Sequence, residues 1–328
     1  MTDSIPTGLQ LYHFVDDLER SLSEKVDFDI DCDEIILCGV GGSAVSGDFA
    51  ADCCYDESKV PIRLIKYPDL PEWVDSRTLA VVSSYSGNTA ETLEMYHQAK
   101  ARGCRIVVIT SGGVLMSEAR DSGDDMMPLP VGMHPRHAIG YMIGYTLAVI
   151  RCAGGPDLSD RIRRFIPSLR EYRDAVSSPE GQATAIAKEF MGSVPIICSD
   201  SYMRSVAFRW KTQVNENSKF VAFCESEPEF GACHADAWSD APRRECIVAV
   251  LRGDIPEPAP LDALVGSMHP EQKVMVIPID GATPLENMFR AIILGDYVSV
   301  FMAEIRGIDA AEVRPVMQMK AKLHKLGY

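Results

Sequence analysis

Residues 83–92, Ser-Ser-Tyr-Ser-Gly-Asn-Thr-Ala-Glu-Thr, concentrate groups that could hold an anion. They follow the apolar run Leu79-Ala80-Val81-Val82 and lead into Leu93-Glu94-Met95-Tyr96-His97-Gln98-Ala99, which has helical spacing. That order predicts a strand, a hydroxyl-rich turn and a helix. Several Oγ groups and backbone N–H groups then meet at a helix N-terminus, where the dipole and orphan donors favour negative charge. Hydroxyls without Lys or Arg suit a phosphate monoester held by hydrogen bonds. A helix cap needs one hydroxyl, and this stretch has Ser83, Ser84, Ser86, Thr89 and Thr92. Gly87 allows a left-handed turn or a close backbone approach.

A second turn precedes it. Glu34-Ile35-Ile36-Leu37-Cys38 reads as a buried strand running into Gly39-Val40-Gly41-Gly42-Ser43-Ala44, with a helix expected from about Phe49. The G-x-G-x-x-G dinucleotide fingerprint would need glycine at position 44, which is alanine, and no strand-end acid follows about twenty residues on. No Gly-Lys-Ser/Thr is present, which excludes a Walker A loop. What remains is a backbone that approaches a sugar or phosphate at Gly42, with Ser43 as an added donor.

These turns need a scaffold. A chain of 328 residues exceeds the size at which one core stops growing, so two domains are expected, at 1–155 and 156–328. In the first, short apolar runs at 34–38, 62–65, 79–84, 105–110 and 126–129 alternate with helical stretches. A helix is expected over Arg136–Ala153. In the second, strands are expected at 194–198, 219–224, 246–251 and 273–277. Helices are expected at 201–214 and 284–305, with a last one from about Ala311. This alternation predicts an α/β fold of two flavodoxin-like halves, each a parallel sheet flanked by helices, with a cleft between them. Ligands in such sheets sit at the strand C-terminal ends, where both turns fall.

Composition narrows the partners. Lys plus Arg total 32 against 47 Asp plus Glu, a net charge of −15. Such a surface repels nucleic acid and anionic membrane. The N-terminus has no basic-then-apolar leader and no apolar stretch reaches about 18 residues, so a cytoplasmic protein is expected. The ten cysteines form no C-x-x-C, and Cys233-His234 lacks further zinc ligands; reduced core thiols and no metal are expected.

The two turns together resemble the sugar-isomerase (SIS) domain, whose G-G-S and S-x-S-G-x-T turns hold a phosphosugar. Ala207-Phe208-Arg209-Trp210-Lys211-Thr212-Gln213-Val214-Asn215-Glu216-Asn217-Ser218-Lys219 is similar to the A-x-R-x-K-x-Q-x-N-E-N-x-K stretch of the archaeal-type bifunctional phosphoglucose/phosphomannose isomerases. Pro135-Arg136-His137-Ala138-Ile139-Gly140-Tyr141 resembles their P-R-x-A-x-G-Y segment.

That resemblance implies aldose–ketose isomerisation of fructose 6-phosphate through an enediol, with no cofactor. The phosphate would sit on Gly42, Ser43, Ser84, Ser86 and Thr89. Glu216 would be the base, just past a helix and raised in pKa by partial burial. Arg136 would stabilise the enediolate. His234 would open the sugar ring, reaching the site from the partner subunit of a homodimer, and Lys320 would assist. Asp309 is followed by Ala310-Ala311-Glu312, where the family tends to carry a hydroxyl residue associated with using both C2 epimers; the glucose reaction is thus the stronger expectation. The alternatives are an isomerase for another phosphosugar and a non-catalytic phosphosugar sensor. Sensors usually add a basic helix-turn-helix, and no basic segment is present.

Overall fold

The computed structural model describes residues 7–253 and 259–314, together with 316, 318, 319 and 322. The chain divides into two compact units, Met1–Ile166 and Pro167–Gly327. In the first, helices α1 (Thr7–Tyr12) and α2 (Phe14–Ser23) precede β1 (Glu34–Cys38), α3 (Gly42–Cys54), β2 (Ile62–Ile65) and β3 (Thr78–Ser84). Then come α4 (Ala90–Ala101), β4 (Arg105–Thr110), α5 (Gly113–Ser122) and β5 (Asp125–Pro128). A 3-10 turn at Pro135–His137 and helix α6 (Ile139–Cys152) follow, and α7 (Ser159–Val176) carries the chain across the division. The five strands are parallel, in the order β2-β1-β3-β4-β5. That is the flavodoxin-like order, whose switch point lies between β1 and β3. Every residue of β3 is buried, as a strand covered on both faces requires. Ile36, Cys38, Ala80, Val82, Ile106 and Val108 share one sheet face and pack with Met95, Tyr96 and Leu115 of α4 and α5.

The second unit repeats the plan with one strand fewer. Helix α8 (Gln182–Phe190) precedes β6 (Val194–Ser199), α9 (Arg204–Asn217), β7 (Phe223–Ser226), α10 (Glu229–Asp240) and β8 (Cys246–Gly253). Then follow α11 (Ala259–Ser267), β9 (Val274–Ile279) and α12 (Pro284–Ile305). The strands are parallel, ordered β7-β6-β8-β9. Ile196, Cys198, Val248 and Val250 pack with Phe230, Trp238, Leu261 and Leu264 of α10 and α11. Helix α12 begins at Pro284, with Thr283 Oγ1 accepting from Glu286 N. Among the described residues no helix is long and apolar enough to cross a membrane.

Several expectations shift. Helix α3 starts at Gly42 rather than near Phe49, because Gly41 makes the turn at φ +62° and Gly47 lets the helix lie on Leu37. The expected 136–153 helix is broken into the 3-10 turn and α6. Helix α9 runs to Asn217, so Glu216 sits in its last turn rather than past it. The strand expected at 219–224 begins at Phe223, since Lys219 is left-handed at φ 51° and Asn215 Oδ1 ties down Ala222 N. Of the expected core thiols, Cys38, Cys53, Cys54 and Cys198 are buried but Cys233 is exposed; all ten are unbridged.

Candidate active site

The two sequence turns meet at the C-terminal ends of β1 and β3. Ser43 Oγ, in the first turn of α3, accepts a hydrogen bond from Tyr85 N at 3.3 Å. Gly39 has no room for a side chain there, since a β-carbon would lie 3.0 Å from the Ser83 carbonyl. Gly87, at φ +64°, is tighter: its β-carbon would fall 1.8 Å from the Gly112 carbonyl. The loop before α5 supports the hydroxyl turn from behind. Ser111 Oγ donates to Tyr85 O at 2.6 Å, Leu115 N to Gly87 O at 3.0 Å, and Val114 N to Asn88 Oδ1 at 3.0 Å.

Thr89 stands at the N-cap of α4, yet its side chain makes no capping bond. Instead Thr89 Oγ1 accepts from Ser84 Oγ at 3.2 Å. Ser84 Oγ in turn accepts from Gly87 N at 3.2 Å, and Ser86 Oγ accepts from Asn88 N at 3.3 Å. A hydroxyl has one proton to donate. Ser84 directs its own at Thr89, so Ser43, Ser86 and Thr89 keep protons for an anion. Ser86 is exposed, Thr89 half-buried, and Ser84 buried behind them. Thr92 is buried within α4, apart from this set.

Arg136 lies beside the glycine turn. A β-carbon on Gly42 would sit 3.4 Å from Arg136 Cα, so glycine there admits the close approach. The Arg136 side chain is buried, with Nη2 3.2 Å from His134 Nε2. Gln10 of α1 holds this segment: its Oε1 accepts from His134 N at 2.7 Å and meets His137 Nδ1 at 3.3 Å. Gly140 and Gly144 of α6 serve packing, since their β-carbons would lie 2.7 Å from Phe14 O and 1.9 Å from Ser21 Oγ of α2.

In the second unit most of the Asn-Glu-Asn stretch is structural. Arg209 and Asp296 form a buried two-point pair at 3.0 and 2.7 Å. Trp210 Nε1 donates to Ala291 O at 2.7 Å, and Asn217 Nδ2 to Ser299 Oγ at 2.9 Å. These contacts fix α9 on α12 and leave Glu216 on the opposite, exposed face. The burial expected around Glu216 is therefore not supplied within this unit. Lys219 Nζ reaches the carbonyls of Glu216, Asn217, Asp309 and Ala310 at 2.9–3.4 Å, joining the end of α9 to the segment after α12. His234 is half-buried on α10, its ring 5.5 Å from that of Phe230. Lys320 lies outside the described residues. Among the described residues no three His, Cys, Asp or Glu side chains gather in a metal-binding group.

The chain is 32% identical over 317 residues to a bifunctional phosphoglucose/phosphomannose isomerase of Caldicellulosiruptor bescii, covering 90% of this chain and 91% of that protein. It belongs to that family. Residues 180–323 match the family model described as the bacterial phospho-glucose isomerase C-terminal SIS domain. A D-glucosamine-6-phosphate 4-epimerase of Sulfolobus acidocaldarius is 26% identical, over 94% of this chain and 95% of that one. In fold, the tagatose-6-phosphate ketose/aldose isomerase of Escherichia coli superposes with a TM-score of 0.71 at 16% identity, covering 94% of this chain and 95% of that one. The molecule is thus an α/β isomerase built of two SIS units.

Proposed function

We propose that the protein interconverts fructose 6-phosphate with glucose 6-phosphate, and less effectively mannose 6-phosphate, by moving a proton between C1 and C2 through an enediolate. The observation that carries this reading is the Ser43–Tyr85 hydrogen bond, which draws the glycine and hydroxyl turns together beside the uncapped N-terminus of α4. Ser43, Ser86 and Thr89 donate to the phosphate together with first-turn N–H groups. Ser84 acts through Thr89. The Arg136 guanidinium, which stays protonated, stabilises the enediolate oxygen.

Glu216 takes the proton from one carbon and returns it to the other. Its carboxylate projects from the exposed face of a helix whose other face is packed through the Arg209–Asp296 pair. His234 moves the proton between O1 and O5 that opens the pyranose ring, and Lys320 assists. The active form in this reading is a cytoplasmic homodimer in which His234 serves the partner subunit's site. The domain division proposed from the sequence, 1–155 and 156–328 with the linker helices in the second, falls eleven residues before the division of the compact units at Ile166.

Incubation with fructose 6-phosphate and EDTA, with products resolved by chromatography, tests the reaction. Glucose 6-phosphate should form at an undiminished rate. Loss of turnover on chelation, restored by a divalent ion, would overturn the metal-free mechanism. Conversion only of an amino sugar at C4, as the name of the Sulfolobus relative describes, would replace the substrate assignment.

A further inference from the structure

Stabilising an enediolate oxygen asks more of Arg136 than charge, because its long side chain must keep the N–H fork aimed where the oxyanion forms. The 3-10 turn supplies an aiming contact of its own. Arg136 Nη2 lies 3.2 Å from His134 Nε2. A guanidinium has donors and no acceptor, so this contact is a hydrogen bond only when Nε2 carries no proton. His134 is then the neutral imidazole with its proton on Nδ1. A neutral acceptor turns the guanidinium without cancelling its charge. A carboxylate in that place would weaken its pull on the oxyanion.

His134 is itself held from two sides. Its backbone N donates to Gln10 Oε1 of α1 at 2.7 Å, and Met133 N, one residue earlier, donates to the Tyr85 phenol oxygen at 2.8 Å. The Tyr85 hydroxyl donates to Pro130 O at 2.9 Å. This buried tyrosine of the hydroxyl turn therefore fastens both ends of residues 130–133. His137 adds to the same brace: its Nδ1 meets the Gln10 oxygen at 3.3 Å, and its ring centre lies 5.3 Å from that of His134. The hydroxyl turn and the turn bearing Arg136 are tied together through Tyr85, with His134 half-buried at the junction.

We propose that His134 is a positioning residue for the isomerisation: its Nε2 accepts from Arg136 and holds the guanidinium toward the enediolate. It acts on the substrate only through Arg136. This inference rests on the reading of Arg136 as the enediolate's stabiliser, and the experiment separates the two.

The full chain is assayed with fructose 6-phosphate, and its affinity is measured for two ligands. One is 5-phosphoarabinonate, whose carboxylate mimics the enediolate; the other is arabinitol 5-phosphate, which keeps the phosphate and hydroxyls but has no carboxylate. His134→Leu removes the acceptor and should lower both kcat and affinity for 5-phosphoarabinonate by about tenfold or more, as loss of a hydrogen bond to a charged group does. KM and affinity for arabinitol 5-phosphate should stay within about twofold, a split that a merely structural role would not give. His134→Gln presents an amide oxygen in place of Nε2 and should restore most of the loss. His134→Ala, at this half-buried position, replaces His134→Leu if that variant fails to fold. Arg136→Met is the reference, with kcat expected to fall at least about a hundredfold. That fall, with kcat in the folded His134 variant near that of the unmodified enzyme, would overturn this inference alone. An unchanged kcat in Arg136→Met would overturn the role of Arg136 and this inference with it. Equal weakening of the two ligands, or no recovery in His134→Gln, would make His134 structural and overturn the proposal.

Discussion

The two units share a sheet order and differ in what stands at the switch point. In the first, β1 and β3 end in Gly39–Ser43 and Ser83–Thr89, short residues that offer hydroxyl protons and backbone N–H groups. In the second, β6 is followed by Asp200, β7 by Glu227, and β8 ends at Arg252-Gly253. The backbone plan sets where a ligand goes, and the side chains set which charge it bears. The residues proposed as the second unit's share of the isomerase site stand on helices instead: Glu216 at the end of α9 and His234 on α10. Rigidity is supplied differently too. The first unit braces its turns by backbone bonds and glycine contacts, the second by a buried ion pair between helices.

The largest effect is expected where that brace is cut. Arg209→Met strands the Asp296 carboxylate in the core and should cost about 3–5 kcal/mol of stability, the range for breaking a buried pair. Adding Asp296→Leu should restore most of it. Denaturant unfolding of the single and double variants checks both values. Turnover per folded molecule should hardly change, which would distinguish a bracing arginine from a catalytic one.

Next come the hydroxyls of the first unit. Ser86→Ala or Thr89→Ala should each cost about 1–3 kcal/mol of substrate binding, typical for a bond to a charged group, and should raise KM with little change in kcat. Ser84→Ala should cost less, because its proton points at Thr89. Equal losses in all three would break the distinction between front and rear hydroxyls.

An effect of similar size concerns how the first unit packs. Burial raises the Asp17 carboxyl to about 6, and its Oδ2 has no partner among the described residues. The folded state therefore binds this proton more tightly than the unfolded chain. The penalty is fully present above pH 6 and is relieved as pH falls from 6 toward 4. Asp17→Asn should stabilise the protein at pH 7.5 by about 1–3 kcal/mol, with the gain shrinking toward pH 4. Unfolding curves at the two pH values measure it; a pH-independent gain would contradict this assignment.

Much of this was legible in the chain. Buried strands such as β1, β3, β4 and β8 announce themselves as apolar runs, and the Pro284–Ile305 helix has its expected limits. The hydroxyl turn was visible because several Ser and Thr residues exceed what a cap requires. Contacts distant in sequence were not. Nothing near Gln10 says that it will hold His134 and His137, more than 120 residues on. Within the Asn-Glu-Asn stretch, similarity alone does not separate the exposed Glu216 from Arg209, Trp210 and Asn217, which are buried against α12. The role of Gly140 was hidden for the same reason: it admits α2, and α2 is not announced by any motif.

The central claim is that the Glu216 carboxylate carries the proton between C1 and C2. Its most direct test is solvent-deuterium incorporation into C2 of the hexose 6-phosphate by Glu216→Gln, beside binding of 5-phosphoarabinonate, an enediolate mimic. Gln keeps the shape and hydrogen bonding but cannot accept the proton. The account predicts that the variant binds the mimic while exchange and kcat fall together by about 10²–10⁴ or more, the contribution of a positioned general base. Exchange and turnover near those of the unmodified enzyme would place the base elsewhere.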